Sequence, residues 1–344
     1  MTVINISILG ASGYTAIELI NLALNHPNIK IDKLFGNSKA GQKISDIYPH
    51  LKFIDLPVIS KFDKHELNNT EILFSCLPHG ELQKIIKLIP SNIKIIDVSA
   101  DFRIQDTKIF EEYYNTKHEA PQYLNDAIYA LPEITKNKIK DKRIIACPGC
   151  YPTSILLPLI PILAKDLISK NSIIIDSKSG ISGSGRKLSE TNLFCELNEN
   201  IKPYNITKHR HLAEIIENLS FVSDKKLDIQ FTPQIIPISR GILSTIYIHS
   251  NTNASELKNT LKEYYKDSQF INIHNDDSIP QLRNVTGSNN CEINIFDKEN
   301  SDLKIIISII DNLNRGSSGQ AIQNFNILSN LDENSGLNNS VKFP

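Results

Sequence analysis

One cysteine stands where a thiol could act as a nucleophile. Cys150 lies in the turn Pro148-Gly-Cys-Tyr-Pro152, just ahead of an apolar stretch from Ser154 that is typical of a helix. The dipole and unbonded N–H groups at a helix start favour a thiolate, which attacks acyl carbons, and the thioester formed can accept a hydride. Cys147 and Cys150 also form a Cys-x-x-Cys pair. We favour a nucleophilic Cys150 over a redox pair, half of a zinc site or a buried inert thiol.

The densest polar cluster of the chain runs from Thr207 to Glu214 and contains His209 and His211. Thr207 can cap a helix there, which would place His209 in the first turn and His211 and Glu214 on one helical face. A neutral imidazole near a thiol is a suitable base and, once protonated, a suitable acid. The alternative interpretation is a set of exposed polar residues at a helix start.

Several cations stand beside glycines or strand ends, where anions can bind. Lys178 and Arg186 frame a Gly/Ser loop that contains Ser182, and such a loop can bind a phosphate or carboxylate or can be a plain flexible hairpin. Arg103 and Arg240 are further candidates for gripping the same anions.

A cofactor site is indicated near the start of the chain. The pattern Gly10-x-x-Gly13-x-x-Ala16 follows an apolar run, Val3 to Leu9, and precedes a helical pattern. Strand, glycine turn and helix open a dinucleotide-binding unit, in which the glycines let backbone N–H groups approach a pyrophosphate. The second strand ends without a carboxylate but is followed by Ser38 and Lys39, which favour NADP(H) over NAD; the alternative is a solvated surface lysine.

The elements around these residues divide the chain in two. Strands alternate with helices in the first part, which predicts an α/β fold with a parallel, Rossmann-like sheet. From Cys150 onward the pattern predicts an α+β domain with a mixed or antiparallel sheet. We therefore expect a nucleotide-binding domain over residues 1–148 and 314–344, to which the last helix returns, and a catalytic and oligomerisation domain over 149–313.

The composition excludes several classes of protein. The 37 Lys and Arg residues nearly balance the 38 Asp and Glu residues, which argues against nucleic-acid binding. The longest apolar stretch, 155–164, is too short for a membrane span. Five cysteines and the lack of a signal peptide indicate a reducing compartment, so we expect a cytoplasmic protein.

Nine segments together resemble the N-acetyl-γ-glutamyl-phosphate reductase family of arginine biosynthesis, whose enzymes use NADPH. The segments are GASGYTAIEL (10–19), LPHG (77–80), DVSADFR (97–103), YALPEI (129–134), PGCYPT (148–153), KSGISGSGR (178–186), HRHLAEI (209–215), IPISRGIL (236–243) and DNLNRGSSGQAIQNFN (311–326). Nine such segments in the right order, over nearly the whole chain, are specific to this family.

The resemblance implies roles for particular residues. It implies a semialdehyde dehydrogenase-like fold, Cys150 as the nucleophile and His209 as the acid/base, with His211 and Glu214 in support. The cofactor-binding residues that it implies or that the turns suggest are Gly10, Ser12, Gly13, Tyr14, Thr15, Ser38, Lys39, Pro78, Gly183 and Asn324. The candidates for the substrate anions remain Arg103, Lys178, Ser182, Arg186 and Arg240.

The resemblance also implies a reaction and an assembly. The reaction is reduction of N-acetyl-glutamyl phosphate to the semialdehyde through a Cys150 thioester, by a homodimer or homotetramer without metal, nucleic acid or membrane. Cys147 stands where the family usually has Asn, and Pro158 is an extra proline that should kink the helix behind Cys150. The alternative is another acyl-phosphate reductase, either a carrier-protein-linked aminoadipyl or glutamyl phosphate reductase or aspartate semialdehyde dehydrogenase.

Overall fold

The structure is a computed structural model, and it describes residues 2–337 and 341. The chain divides into two compact units. Unit 1 contains the residues up to Pro148 together with Ser317–Leu337, and unit 2 contains Gly149–Gly316. The chain therefore leaves unit 2 after Gly316, whereas the sequence predicted a return at 314. The predicted first domain also includes 338–340 and 342–344, which lie outside the described residues.

Unit 1 is built on a seven-stranded parallel sheet whose strands follow the order β3-β2-β1-β4-β5-β7-β6. The strands are β1 (Ile4–Leu9), β2 (Ile29–Phe35), β3 (Ile59–Ser60), β4 (Ile72–Ser75), β5 (Lys94–Asp97), β6 (Ala127–Tyr129) and β7 (Ile144–Ala146). The helices are α1 (Tyr14–Leu24), α2 (Ile44–Ile47), α3 (Glu81–Ile85), α4 (Thr107–Tyr114), α5 (Pro132–Ile139) and the last helix, α10 (Gly319–Leu328). The strand order reverses beside β1, which is the position where doubly wound sheets bind nucleotides.

Unit 2 is built on a seven-stranded mixed sheet in the order β12-β13-β14-β11-β8-β10-β9. The strands are β8 (Ser172–Gly180), β9 (Lys202–Pro203), β10 (Asp228–Ile236), β11 (Ile242–His249), β12 (Ile271–Ile273), β13 (Cys291–Asp297) and β14 (Leu303–Ile310). The helices are α6 (Cys150–Ala164), α7 (Phe194–Leu197), α8 (Arg210–Ser220) and α9 (Ala254–Tyr264). The predicted combination of a Rossmann-like domain and an α+β domain with a mixed sheet is confirmed.

Helix α6 forms the centre of unit 2. Every residue from Tyr151 to Leu163 is buried, because nearly all of them are apolar. The helix continues through Pro158 and Pro161. Pro161 has no N–H to bond to the carbonyl of Leu157, and that carbonyl instead accepts the hydroxyl of Tyr265 at 2.6 Å. A tertiary hydrogen bond therefore satisfies a carbonyl that the proline leaves without a helical partner.

Candidate active site

The nucleophile candidate is the first residue of α6. Gly149 is the N-cap, so the helix begins at Cys150 itself, four residues earlier than the sequence indicated. The backbone N–H of Gly149 donates to Oε1 of Glu214 at 2.7 Å, and the Glu214 side chain is fully buried. Helix α8 therefore holds the turn that carries the half-buried Cys150. The N–H groups of the first helical turn and the helix dipole both stabilise a thiolate at this position.

His209, not Thr207, caps α8. Nδ1 of His209 accepts a hydrogen bond from the backbone N–H of His211 at 3.1 Å, and Thr207 lies before the helix with a φ of 64°. An imidazole nitrogen that accepts a bond carries no proton. The ring proton of His209 therefore sits on Nε2, and protonating the ring would break the cap.

The surroundings of His209 also oppose a positive charge. Its ring lies 5.3 Å from the ring of Tyr204, 5.5 Å from that of Tyr151 and 4.8 Å from that of His211, measured between centroids. Burial, and then the charge of Arg210, lower the pKa of His209 to about 3. His209 is therefore a neutral imidazole at physiological pH.

His211 is the second imidazole of the cluster, and it lies inside the first turn of α8. It is buried, and its ring centroid is 6.0 Å from that of Tyr151, the residue that follows Cys150. Glu214 follows three positions later on the same helical face. The structure thus brings the predicted set of Cys150, His211 and Glu214 to the contact between α6 and α8.

Two tyrosines complete this cluster, and the sequence analysis missed both. The hydroxyl of Tyr204 donates to that of Tyr151 at 3.3 Å, and the hydroxyl of Tyr151 donates to the carbonyl of Gln234 at 3.2 Å. Burial raises the pKa of Tyr151, and it raises that of Tyr204 to about 12; the Cys150 sulfur contributes to both increases. Both phenols are neutral neighbours of the thiol. Tyr204 precedes His209 by five residues, so a search of the flanks of the histidine motif could have found it.

The predicted anion-binding residues do not all lie together. Ser182 and Arg240 belong to neighbouring loops of unit 2, and the dipeptide Asp311-Asn312 holds both loops. Nη1 of Arg240 lies 3.4 Å from Oδ2 of the buried Asp311, and Nδ2 of Asn312 donates to Oγ of Ser182 at 2.8 Å. Oδ1 of Asn312 accepts the N–H of Gly241 at 2.7 Å. These bonds fix a cation and a hydroxyl on adjacent loops.

Lys178 does not join this group, which corrects the prediction that it frames a loop. Strand β8 continues to Gly180, and Lys178 alternates with the buried Ser177 and Ser179. Ser177 bonds to Ser244 on the face that α6 covers, since Ser244 also bonds to Ser154 of α6. Lys178 therefore lies on the opposite face, where its ammonium pairs with Asp176. The loop itself begins at Ile181, and Gly183 and Arg186 are exposed in it.

In unit 1, the predicted cofactor turn has the required shape. Gly10 has a φ of 76°, and a Cβ there would lie 2.5 Å from the carbonyl oxygen of Cys76. Gly13 is the N-cap of α1, and the nearest atom to a Cβ placed on it is 3.7 Å away. The first glycine is required by the fold, whereas the second leaves room for a ligand beside the helix start. This arrangement fits a pyrophosphate.

The other cofactor candidates of unit 1 are placed around the same sheet edge. Ser38 is exposed and Lys39 half-buried after β2, and no carboxylate occurs between Phe35 and Ala40. The remaining candidates are Ser12 and Thr15, half-buried in the turn and at the start of α1, Tyr14, exposed at the same start, and Pro78, exposed after β4. A hydroxyl and an ammonium after β2 suit a ribose that carries a 2′-phosphate.

Two predicted site residues, Arg103 and Asn324, are buried in unit 1, as is Cys147. Nη2 of Arg103 donates to the carbonyl of Val98 at 3.0 Å, so this guanidinium has a structural partner in unit 1. Nδ2 of Asn324 donates to the carbonyl of Ala130 and to the sulfur of Cys147 at 3.5 Å. Burial raises the pKa of Cys147 to about 12. Cys147 is therefore a neutral thiol at physiological pH and no rival nucleophile.

Among the described residues, no group of His, Cys, Asp and Glu is arranged to hold a metal ion.

Comparison with known proteins places the chain in a family. Two families of domains match it: residues 5–142 match the semialdehyde dehydrogenase NAD-binding domain, and residues 150–312 match the semialdehyde dehydrogenase dimerisation domain. A protein of Oryza sativa named a probable chloroplastic N-acetyl-gamma-glutamyl-phosphate reductase is 43% identical, over 99% of this chain and 83% of its own length. The N-acetyl-gamma-glutamyl-phosphate reductase of Halothermothrix orenii is also 43% identical, over 99% of this chain and all of its own.

The chain belongs to the N-acetyl-gamma-glutamyl-phosphate reductase family. The reductase of that name from Ehrlichia chaffeensis is 40% identical over 99% of both chains. Such coverage means that both units of this family member, and not one domain alone, match the relatives.

Solved structures confirm the fold of this reductase family member. An aspartate semialdehyde dehydrogenase from Vibrio cholerae matches with a TM-score of 0.71 at 14% identity, over 96% of this chain and 99% of that one. The enzyme from Candida albicans, solved with NADP, matches with a TM-score of 0.69 at 17% identity, over 95% and 99%. Among the described residues, no helix has the length and apolar character that crossing a membrane requires.

Proposed function

We propose that this chain reduces N-acetyl-glutamyl phosphate to N-acetyl-glutamate semialdehyde, with NADPH as the reductant and release of phosphate. The observation that carries the proposal is the position of Cys150 at the start of a buried 15-residue helix, held by Glu214 beside two histidines. Family membership supports the substrate. The fold alone would also suit aspartate semialdehyde, so the substrate must be tested directly.

The first step is the attack of the Cys150 thiolate on the acyl carbon of the substrate. The new C–S bond replaces the C–O bond to phosphate, which leaves with the bonding electron pair. The helix dipole at the start of α6 stabilises the thiolate, and N–H groups of the first turn are donors for the oxygen that becomes negative in the transition state. When bound, NADPH supplies the hydride that reduces the thioester to the aldehyde and regenerates the thiolate.

We assign the proton transfers to His211. His209 is held neutral with its proton on Nε2, so it orients the cluster and can donate a hydrogen bond through that N–H, but it does not take up a proton. His211 shares a helical face with Glu214, and its ring lies beside that of Tyr151, the residue that follows Cys150. His211 then takes the proton of the Cys150 thiol before the attack and returns it to the sulfur when the C–S bond breaks and the aldehyde leaves.

The residues of unit 1 support NADP(H) as the cofactor. The turn from Gly10 to Gly13 with the start of α1 suits the pyrophosphate, and Ser38 and Lys39 suit the 2′-phosphate. On unit 2, Arg240 and Ser182, with Arg186 in the same loop, are the candidates for the phosphate and carboxylate of the substrate. Their loops are fixed by Asp311 and Asn312, so these groups are ordered before substrate arrives.

We further propose that copies of the chain form a homodimer or homotetramer through the open face of the unit 2 sheet. Ile174 is 49% exposed on this face, whereas Ile173 and Ile175 beside it are fully buried. The strand registers align Ile174 with Tyr247, Ile305 and Phe296 in a row across four strands. This apolar row lies within the segment that matches a dimerisation domain.

None of the five described cysteines is joined in a disulfide bond. This fits a reducing compartment, and it supports our proposal that the protein is cytoplasmic.

The reaction is tested with purified protein in the reverse direction, with N-acetyl-glutamate semialdehyde, phosphate and NADP+, against aspartate semialdehyde as the control substrate. We expect phosphate-dependent NADPH formation with the first substrate and at least 100-fold lower kcat/KM with the second. A preference for aspartate semialdehyde, or no turnover with either, would contradict the proposed substrate.

A further inference from the structure

Gly316, at the point where the chain leaves unit 2, packs directly against the nucleophile. Residues Asn314–Ser318 form a single π-helical turn, a rare conformation that often marks functional sites. A Cβ added to Gly316 in this turn would lie 2.7 Å from Cβ of Cys150 and 3.1 Å from its Cα. Carbon atoms that are not bonded to each other do not approach this closely. The turn thus comes so near to Cys150 that position 316 has no room for any side chain.

The turn is fixed from several sides. The N–H of Gly316 donates to the carbonyl of Asp311 at 2.9 Å, the i to i+5 bond of a π-turn. The Asp311 carboxylate accepts the N–H groups of Leu313 and Asn314 through Oδ1, at 2.8 and 2.9 Å, and that of Gly287 through Oδ2 at 2.7 Å. Asp311 is fully buried. A side chain at Gly316 therefore cannot be accommodated by a shift of the turn without loss of these bonds.

Cys150 is fixed as well, from the opposite direction. The bond from Gly149 to Glu214 holds the residue before it, and the buried helix α6 holds the residues after it. Ile310 lies on a third side, where its Cδ1 would be 3.3 Å from the added Cβ. The backbone of Gly316 does not itself need glycine, because its φ lies outside the left-handed region. The close approach to Cys150 is the reason for glycine at this position.

We propose that Gly316 is a positioning residue for the reaction: its bare backbone forms the wall that sets where the Cys150 sulfur points. This inference rests on the proposed role of Cys150 but not on the identity of the substrate. Since Gly316 touches no reacting atom, its replacement should alter the reactivity of the thiol and kcat, and should leave the affinity for NADPH unchanged.

The experiment compares Gly316→Ala with Ile310→Val. Both changes alter the surroundings of position 316, but the first adds a methyl group that presses on Cys150, whereas the second only removes a methyl group of Ile310. We measure the alkylation rate of Cys150 by iodoacetamide from pH 5.5 to 9, by peptide mass spectrometry, with the exposed Cys195 of the same molecule as the internal reference. This readout needs no substrate, so a failure of the proposed substrate does not affect it.

We expect Gly316→Ala to lower the rate for Cys150, relative to Cys195, by about tenfold or more and to shift its pH profile. It should lower kcat to a similar extent, with the Kd for NADPH within about twofold of the unchanged protein. Ile310→Val should leave the Cys150 profile unchanged. An unchanged Cys150 profile in Gly316→Ala would overturn the proposal.

A second measurement covers the case in which Gly316→Ala is too unstable for kinetics. The loss of Tm caused by Gly316→Ala is measured in the Cys150 background and again in a Cys150→Gly background, where the Cβ that it meets is absent. A loss at least halved in the second background supports the contact. Equal losses in the two backgrounds would refute it, because the added methyl group would then act elsewhere.

Discussion

At the scale of single residues, the chemistry depends on which groups can carry charge at neutral pH. Cys150 lies at a helix start, where a negative charge is stabilised, whereas Cys147 lies buried and its pKa is raised to about 12. The two thiols of one Cys-x-x-Cys pattern therefore have opposite properties. His209 resists a positive charge as well, since its pKa is lowered to about 3 and its cap requires an unprotonated Nδ1.

The assignment of the histidines predicts a difference between two variants. His211→Asn should lower kcat by 100-fold or more and remove the acidic limb of the pH profile of kcat. His209→Asn should cost less than tenfold, because Asn also caps a helix, and should leave that limb in place. The measurement is kcat from pH 5.5 to 9 for both proteins. A severe loss in a well-folded His209→Asn protein, beside a mild one in His211→Asn, would restore the catalytic role to His209.

The lowered pKa of His209 also affects stability. A histidine whose pKa falls to about 3 in the folded protein binds fewer protons there than in the unfolded chain. The neutral form of His209 therefore favours folding. Its contribution to the free energy of unfolding is complete above the unfolded pKa of about 6.5 and decreases as the pH falls toward 3. We expect the Tm of His209→Asn to fall less between pH 6.5 and 4.5 than that of the unchanged protein. An equal or greater fall would contradict a neutral, buried His209.

Sequence reasoning located these residues better than it located their contacts. The positions of Cys150, His211 and Glu214 could be predicted because a helix start and a helical face follow from local patterns. The cap at His209 and the tyrosine neighbours could not, because they depend on tertiary packing around α8. Gly316 is the clearest case, since its contact with Cys150 joins two segments that are distant in the sequence.

At the scale of elements, α6 shows how a helix with two internal prolines is stabilised. The carbonyl of Leu157 depends on Tyr265 because Pro161 offers no N–H. We expect Tyr265→Phe to lower the free energy of unfolding by about 1–3 kcal/mol, the cost of a buried unsatisfied carbonyl. In a Pro161→Ala background, where the new N–H can bond to Leu157, the same change should cost less than half as much. Urea unfolding of the four proteins gives both values.

Equal costs of Tyr265→Phe in the two backgrounds would show that the hydroxyl does not replace a helical partner. Sequence reasoning had expected a kink at Pro158, since a proline removes a helical bond. It could not foresee the compensation at the second proline, because Tyr265 belongs to the end of a different helix. The error at Lys178 has a similar origin: the Ser/Gly composition suggested a loop, but pairing with β10 and β11 extends β8 through Gly180.

At the scale of the whole molecule, the strands of both sheets follow apolar runs that were visible in the sequence. The runs 172–176 and 227–231 predict two of these strands, and the strands found there, β8 and β10, extend four and five residues further. The short strands β3, β6, β7, β9 and β12 were missed, because two or three residues carry too little pattern. The assembly of copies is also a property at this scale, since no local pattern marks an interface.

The proposed interface predicts a change in mass. Ile174→Glu places a charge in the apolar row of the unit 2 sheet and should shift the protein toward monomers in sedimentation velocity. Phe221→Glu is the matched control, because Phe221 is an apolar residue, 69% exposed, outside the sheet. The control should sediment like the unchanged protein. If Ile174→Glu keeps the same mass as the control at micromolar concentration, the copies meet elsewhere.

The most direct test of the central claim is to isolate the covalent intermediate. The protein is mixed with N-acetyl-glutamyl phosphate in the absence of NADPH, quenched in acid and measured by intact-mass and peptide mass spectrometry, beside Cys150→Ser. The account predicts one N-acetylglutamyl group per chain, located on Cys150, absent from the variant and lost when NADPH is added before the quench. An active protein that reduces the acyl phosphate without any such adduct, or that carries it on another residue, would contradict the account.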